Sequence, residues 1–189
     1  MTRDDLIAFE ESIADEFNAG KIPYPIHLES GNEGELIRIF ADVRPQDWVF
    51  TSWRGHLKAL LKGVPQESLR DAIRRGESMA LRFPAYRVYG SAIVGGTIPI
   101  ALGVALAIKR KGEDARVHCF LGDMTSLTGI AHECMNYGRN LPIRWIIEDN
   151  GVSVCTITKE VWPDGLINFV KYSYKSKWPH AGAGVRVQF

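Results

Sequence analysis

Apolar and polar positions follow two rhythms along this chain, and each predicts a set of elements. Leu6, Phe9, Ile13 and Phe17 recur at helical spacing behind Thr2 and Asp5, a capping arrangement, so an amino-terminal helix is expected to end near Gly20. Helices are also expected around Glu33 to Phe40 and Gln66 to Arg75, the second with its charges mostly on a solvated face. Ile98 to Lys109 opens with Pro99 near its first turn and is apolar all round, which predicts a buried helix stacked on a sheet. The continuous apolar runs Val117 to Leu121 and Ile143 to Ile147 read as buried strands, and Ser126 to Tyr137 between them has helical character. Strand, loop, helix, strand normally makes two parallel strands with a right-handed crossover. Further on, a helix is expected near Gly165 to Tyr172, and the alternation Val185 to Phe189 looks like a closing strand. No internal repeat, low-complexity tract or linker interrupts the pattern. The expectation is therefore one α/β domain over residues 1–189, a doubly wound, mostly parallel sheet with helices on both faces, in which 1–45 form an amino-terminal helical extension.

The chemistry sits where the two apolar runs break. The first ends at Gly122-Asp123-Met124 and the second at Glu148-Asp149-Asn150-Gly151. In a parallel pair both loops open at the same edge, and ligands of open α/β sheets bind outside the carboxyl ends of the strands. An Asp carboxylate and an Asn carbonyl oxygen placed there suit Mg²⁺. Each residue also has a plainer reading. Asp123 can cap the following helix, Asn150-Gly151 is an ordinary turn signal, Arg54 can be a surface ion-pair partner and His56 a satisfied polar histidine. His132, Glu133 and His180 suggest no metal site, because no third ligand is spaced to join them.

Gly122-Asp123, followed 27 positions later by Asn150, is similar to the thiamine diphosphate motif, Gly-Asp-Gly and then Asn-Asn beyond an intervening helix and strand. Three further blocks, in order, resemble the alpha chain of the first component of 2-oxo-acid dehydrogenase complexes. They are Phe50-Thr51-Ser52-Trp53-Arg54-Gly55-His56, Leu61-Lys62-Gly63-Val64, and the stretch from Gly90 to Gly103. The likeness runs from about Leu6 to Thr158. The resemblance implies the thiamine diphosphate-binding fold of the diphosphate-binding type, with thiamine diphosphate and Mg²⁺ as cofactors. It implies metal ligation by Asp123, Asn150 and the carbonyl of Val152. It also implies cofactor contacts from Gly122, Met124 and Thr125 in the same motif, from Arg54 to phosphate, and from His56, which is the expected catalytic residue. Backbone groups of Ala92 and Val94 are implied to meet the aminopyrimidine ring. A guanidinium suits phosphate because it is planar and permanently charged, and a near-neutral imidazole permits proton transfer.

The family divides its labour between chains: a Glu on a separate pyrimidine-binding domain protonates the aminopyrimidine. Nothing here matches that domain. The implied partners are therefore a pyrimidine-binding chain supplying that Glu, in a heterotetramer like the family's, and a small-molecule carbonyl substrate. The implied reaction cleaves or forms a C–C bond beside a carbonyl, by 2-oxo-acid decarboxylation or by ketol or acyl transfer. Met124 departs from the second Gly of the motif, where a Cβ is tolerable only at negative φ, and Asp149 departs from the first Asn. The family's alpha chain continues into a loop carrying a His-Ser pair that this sequence does not reach. Two other readings stay open: a non-catalytic paralogue with a structural or regulatory role, and another Mg²⁺-dependent phosphate-ligand enzyme. The absence of Gly-x-x-x-x-Gly-Lys-Ser/Thr weighs against the last, and the Gly-rich block is not Gly-x-Gly-x-x-Gly, so a nicotinamide site gains no support.

Composition narrows the class further. A net charge of +1 with 24% charged residues points to neither nucleic acid nor an anionic membrane. The stretch Ile98 to Ile108 falls well short of the roughly 20 residues a span requires, and the first residues lack a signal-peptide layout. Cys119, Cys134 and Cys155 lack metal or disulfide spacing, so reduced thiols in a cytoplasmic protein are expected.

Overall fold

The computed structural model describes residues 1–162 and 170–185. Its helices are α1 (Arg3–Asn18), α2 (Glu33–Phe40), α3 (His56–Leu61), α4 (Gln66–Arg74), α5 (Thr97–Lys111), α6 (Asp123–Ser126), α7 (Gly129–Tyr137) and α8 (Thr158–Val161). Its strands are β1 (Trp48–Thr51), β2 (Arg82–Phe83), β3 (Val88–Gly90), β4 (Val117–Gly122), β5 (Ile143–Asp149), β6 (Val152–Ser153), β7 (Thr156–Ile157) and β8 (Val170–Ser173). Six strands form one sheet in the order β2-β3-β1-β4-β5-β8. Only the β2–β3 pairing is antiparallel; β6 and β7 make a separate antiparallel hairpin.

The period of two along each strand sorts side chains onto two cores. Val49, Phe120 and Ile146 point to one face, where Leu6, Phe9, Ile13 and Phe17 of α1, Leu36 and Ile39 of α2, and the apolar residues of α3 and α4 cover them. Phe50, Cys119, Leu121 and Trp145 point to the other, under Ile98, Ala101 and Ala105 of α5 and Ala131, Cys134 and Met135 of α7. Residues 1–45 thus supply a covering layer of the sheet. Burying Phe17 and Phe120 completely stabilises the fold by roughly 1.5–3 kcal/mol each. The capping of α1 takes the expected form: the Thr2 hydroxyl accepts from the Asp5 amide at 3.2 Å, and the Asp5 carboxylate accepts from the Thr2 amide at 2.7 Å.

The strand register places the carboxyl ends together. Phe50 pairs with Cys119, Gly122 with Glu148, and Asp149 with Ser173, so the chain leaves β1, β4, β5 and β8 at one edge. From β1 it passes to α3 and α4 on one face; from β4 it passes to α6 and α7, with α7 on the other. Neighbouring strands whose connections part to opposite faces leave a crevice between them, the switch point at which such sheets bind ligands.

Two expectations are corrected here. Val170–Ser173, expected within a helix from Gly165 to Tyr172, pairs as a parallel strand with β5; its Val and Tyr suit a sheet, and the apolar run Leu166 to Val170 did not distinguish the two periods. Residues 163–169 of that expected helix, and 186–189 of the expected closing strand, lie outside the described residues. Helix α5 is not buried all round: Ile98, Ala101, Ala105 and Ile108 face the sheet, whereas Ile100 is 58% exposed.

Candidate active site

Four carboxyl-end loops build one cleft. Ser52, Trp53 and Arg54 come from the loop after β1, Gly122 to Thr125 from the end of β4 and α6, and Glu148, Asn150 and Val152 to Val154 from β5 and the hairpin. Tyr174 and His180 close it from the segment after β8. The inner part measures ≈ 40 Å³, room for an ion or a few waters. It continues into an outer part of ≈ 290 Å³ that shares Arg54, Asn150, Val152, Val154, Tyr174 and His180 and adds Trp178.

Asp123 opens α6 and is buried at 7% exposure. One of its carboxylate oxygens accepts from the Thr158 hydroxyl, and the Thr158 amide donates to the Gly151 carbonyl at 3.0 Å. Thr158 therefore ties the Asp123 carboxylate to the loop carrying Asn150 and leaves its second oxygen without a side-chain partner among the described residues. That loop is set by its own side chains: Asn150 Oδ1 accepts from the Val152 amide at 3.1 Å, and Asp149 Oδ1 from the Gly151 amide at 2.9 Å. Gly151 sits at φ +77°, which favours glycine. Met124 lies inside α6 and is not among the positive-φ residues, so its Cβ meets no backbone strain.

Arg54 stands on the opposite wall, and Lys175 lines the outer part. The Arg54 Nη2 donates to the His180 carbonyl at 3.4 Å, while its buried Nε has no partner among the described residues. Burial, the Arg54 charge and His180 hold His27 down to about 3, and burial with Arg54 lowers His180 as well. Both imidazoles are neutral there, with ring centres 4.9 Å apart, and Trp53 lies beside them.

A charged floor supports the cleft. Lys58, fully buried, contacts Glu29 and reaches Glu148 Oε1 at 2.7 Å and the Arg54 carbonyl at 3.0 Å. Glu148 Oε1 also accepts from the Tyr172 hydroxyl at 2.5 Å, and Asn32 Nδ2 donates to that hydroxyl at 3.1 Å. Burial pushes Glu29 up to about 7 despite Lys58, with Glu148 adding to the rise. The folded protein then keeps a proton that the unfolded chain releases near 4.5, so this carboxyl's contribution to stability is lost as pH rises from about 4.5 to about 7. Glu29→Gln should remove that slope, at most about 3 kcal/mol across the window. Urea midpoints at pH 5 and 7.5 measure it by difference from wild type; an unchanged slope in the variant would refute the assignment.

Of the residues expected at the site, Arg54, Gly122, Asp123, Met124, Thr125, Asn150 and Val152 meet in this cleft. His56 does not. Gly55, where a Cβ would lie 2.7 Å from Thr51 Cγ2, allows the turn that sends His56 inward as the first residue of α3. His56 is fully buried, with Nδ1 3.3 Å from Glu10 Oε2 and Nε2 2.9 Å from Ser78 Oγ, so no ring nitrogen is left for a ligand. This placement corrects the catalytic role expected for it. Ala92 and Val94 sit in the loop between β3 and α5, at the same sheet edge but exposed and outside the cleft. Sequence reasoning missed Thr158, Glu148, Tyr174 and His180. Glu148 adjoins the Asp149-Asn150 block and could have been found there; the others carry no local signal. Among the described residues all three cysteines are free, Cys119 and Cys134 buried and Cys155 exposed, and no helix is long and apolar enough to cross a membrane.

Comparison with known proteins gives this geometry a lineage. An alpha subunit of pyruvate dehydrogenase E1 from Porphyra purpurea is 29% identical over 75% of this chain and 47% of its own length. Its Rickettsia bellii counterpart is 31% identical over 78% of this chain and 49% of its own. The alpha subunit of acetoin:2,6-dichlorophenolindophenol oxidoreductase from Bacillus subtilis is 28% identical over 80% and 49%. The chain spans about half the length of these curated relatives. The family described as "Dehydrogenase E1 component" matches residues 1–161, which takes in every strand and loop of the cleft up to the Asp123–Thr158 contact, and the chain belongs to that family.

Proposed function

We propose that this chain is the Mg²⁺- and diphosphate-binding subunit of a two-chain thiamine diphosphate enzyme acting on a carbonyl substrate. The observation that carries the reading is the meeting of Asp123, Asn150, Val152 and Arg54 in one cleft at the switch point of the sheet. The donor set fits: a carboxylate oxygen, an amide oxygen and a backbone carbonyl are hard oxygen ligands suited to Mg²⁺, and the Arg54 guanidinium on the opposite wall suits phosphate oxygens. The inner cleft has room for the ion, and the outer part accommodates the rest of a diphosphate. When bound, thiamine diphosphate supplies the chemistry of C–C cleavage or formation beside a carbonyl. The chain's own residues bind and orient it: Thr158 fixes Asp123, and the neutral His27 and His180 avoid adding charge beside Arg54.

A partner surface adjoins the cleft. Ile93, Val94 and Ile100 around the start of α5, with Ile130 and Tyr137 of α7, leave an apolar face exposed, the kind of surface that an obligate interface covers. We place a pyrimidine-binding chain there, supplying the activating Glu near Ala92 and Val94. The isolated chain is then expected to show little or no 2-oxo-acid decarboxylation or ketol transfer. Co-expression with a pyrimidine-binding chain encoded beside it, followed by turnover assays on 2-oxo acids and ketose phosphates, tests this. Full activity from the isolated chain contradicts the two-chain reading; a co-purifying pair that binds the cofactor without turnover would favour a non-catalytic paralogue.

A further inference from the structure

The loops at the carboxyl edge follow one another across the sheet in a fixed spatial order. Ala92 and Val94 follow β3, Arg54 follows β1, Asp123 follows β4, Asn150 follows β5 and Tyr174 follows β8, and the strands stand as β3-β1-β4-β5-β8, all parallel. With its pyrimidine at Ala92 and Val94, a cofactor lying along this edge carries its diphosphate past β1 and β4 and brings the terminal phosphate toward β5 and β8. Tyr174 stands at that end and lines both the inner and the outer part of the cleft. No block of the family resemblance includes it, and it lies beyond the matched residues 1–161.

Tyr174 is held by its backbone and ring, not by its hydroxyl. Its amide donates to the Asp149 carbonyl at 3.0 Å, continuing the β8–β5 pairing, and its ring lies beside Tyr172 with centres 5.8 Å apart. The Lys177 amide donates to Ser30 Oγ at 2.6 Å, which pins the turn after Tyr174 to the loop before α2. Neighbouring hydroxyls are committed: Tyr172 donates to Glu148 and Thr158 to Asp123. The Tyr174 hydroxyl makes no hydrogen bond among the described residues, and it is not sealed from solvent. Burial, then the Glu148 and Glu29 carboxyls, push the phenol above its ordinary value of 10 against the pull of Arg54, and Asp123 adds to the rise. The group therefore keeps its proton at neutral pH and is free to donate it in a hydrogen bond.

We propose that Tyr174 is a cofactor-binding residue whose hydroxyl donates to the terminal phosphate of the diphosphate, facing Arg54 across the outer cleft. The inference rests on the cofactor reading of this cleft and adds to it a residue from outside the metal motif. A neutral donor suits the position, because a hydrogen bond to a charged phosphate oxygen is roughly twice as strong as one between neutral groups. Glu148, which also lines the cleft, is paired with Lys58 at 2.7 Å, and that pairing offsets its repulsion of an anion.

Isothermal titration of the full chain with Mg²⁺-thiamine diphosphate and with Mg²⁺-inorganic diphosphate tests the assignment. Both should bind wild type, and Tyr174→Phe should weaken both by the same factor, at least about tenfold. Because the hydroxyl makes no bond in the unliganded fold, the Tm of unliganded Tyr174→Phe should stay within about 2 °C of wild type. In NMR of protein carrying ¹³C at the tyrosine ζ-carbon, the Tyr174 signal, assigned with the same variant, should move when Mg²⁺-diphosphate is added. Equal affinity of variant and wild type for both ligands would overturn the role of Tyr174 and leave the cofactor reading standing; no saturable binding of either ligand by wild type would overturn both. A loss confined to thiamine diphosphate, a lower Tm of the unliganded variant or an unmoved Tyr174 signal would each also overturn it.

Discussion

Asp123→Ala should abolish the Mg²⁺-dependent stabilisation by thiamine diphosphate while leaving the unliganded fold in place. In the wild-type protein, ligand at 100 times Kd adds about 2.7 kcal/mol, a rise in Tm of roughly 5–11 °C for a chain of this size. The variant loses the carboxylate that offers an oxygen to the cation, and it leaves the Thr158 hydroxyl unpaired at a cost of about 1 kcal/mol. That cost is partly offset, because a buried charge is removed as well. Thr158→Val should act in the same direction but less, since it frees the carboxylate without deleting it. A full Mg²⁺-dependent shift in Asp123→Ala, measured by differential scanning fluorimetry, would remove Asp123 from the metal site.

The second large effect is structural. Lys58→Met should lower stability by about 3–5 kcal/mol, since removing one partner of a buried ion pair strands the others. Here Glu29 and Glu148, 1% and 6% exposed, would face each other without the ammonium between them. Thermal unfolding would register a fall of roughly 6–20 °C. Because Glu148 lines the cleft and Lys58 also holds the Arg54 carbonyl, cofactor affinity should drop with stability. The companion change Glu29→Gln with Lys58→Met should recover part of the loss; a double variant as unstable as the single would show that the Glu29 carboxyl is not its cause.

The parts of this fold that could be read from sequence are those with a long, regular apolar pattern. α1 with its capping box, α4, α5, α7 and the strands β4 and β5 all lie where the spacing puts them. The short strands β1 and β3, of four and three residues, carry too few positions to show a period, and α3 follows directly from a motif block. The exposed half of α5 misled because its apolar residues read as buried whether a sheet or a second surface covers them. At the site, Asp123 and Asn150 were legible as cleft residues because each directly follows a strand of one β-α-β unit. His56 was not, because the turn at Gly55 decides which way its side chain goes, and that turn depends on Thr51 and Leu81 packed around it. Tyr174 and His180 reach the cleft only through β8 pairing with β5 and Gly182 bridging to His27, contacts between distant parts of the chain.

The central claim is that the cleft at the carboxyl edge holds a Mg²⁺-diphosphate through Asp123, Asn150 and Val152. Isothermal titration of thiamine diphosphate into the chain co-purified with its partner, in Mg²⁺ and again in EDTA, tests it most directly. The account predicts saturable binding, one cofactor per copy of this chain, that weakens at least about 100-fold when the metal is removed, a difference of about 2.7 kcal/mol. Equal affinity in EDTA, or no binding with Mg²⁺ present, would contradict it.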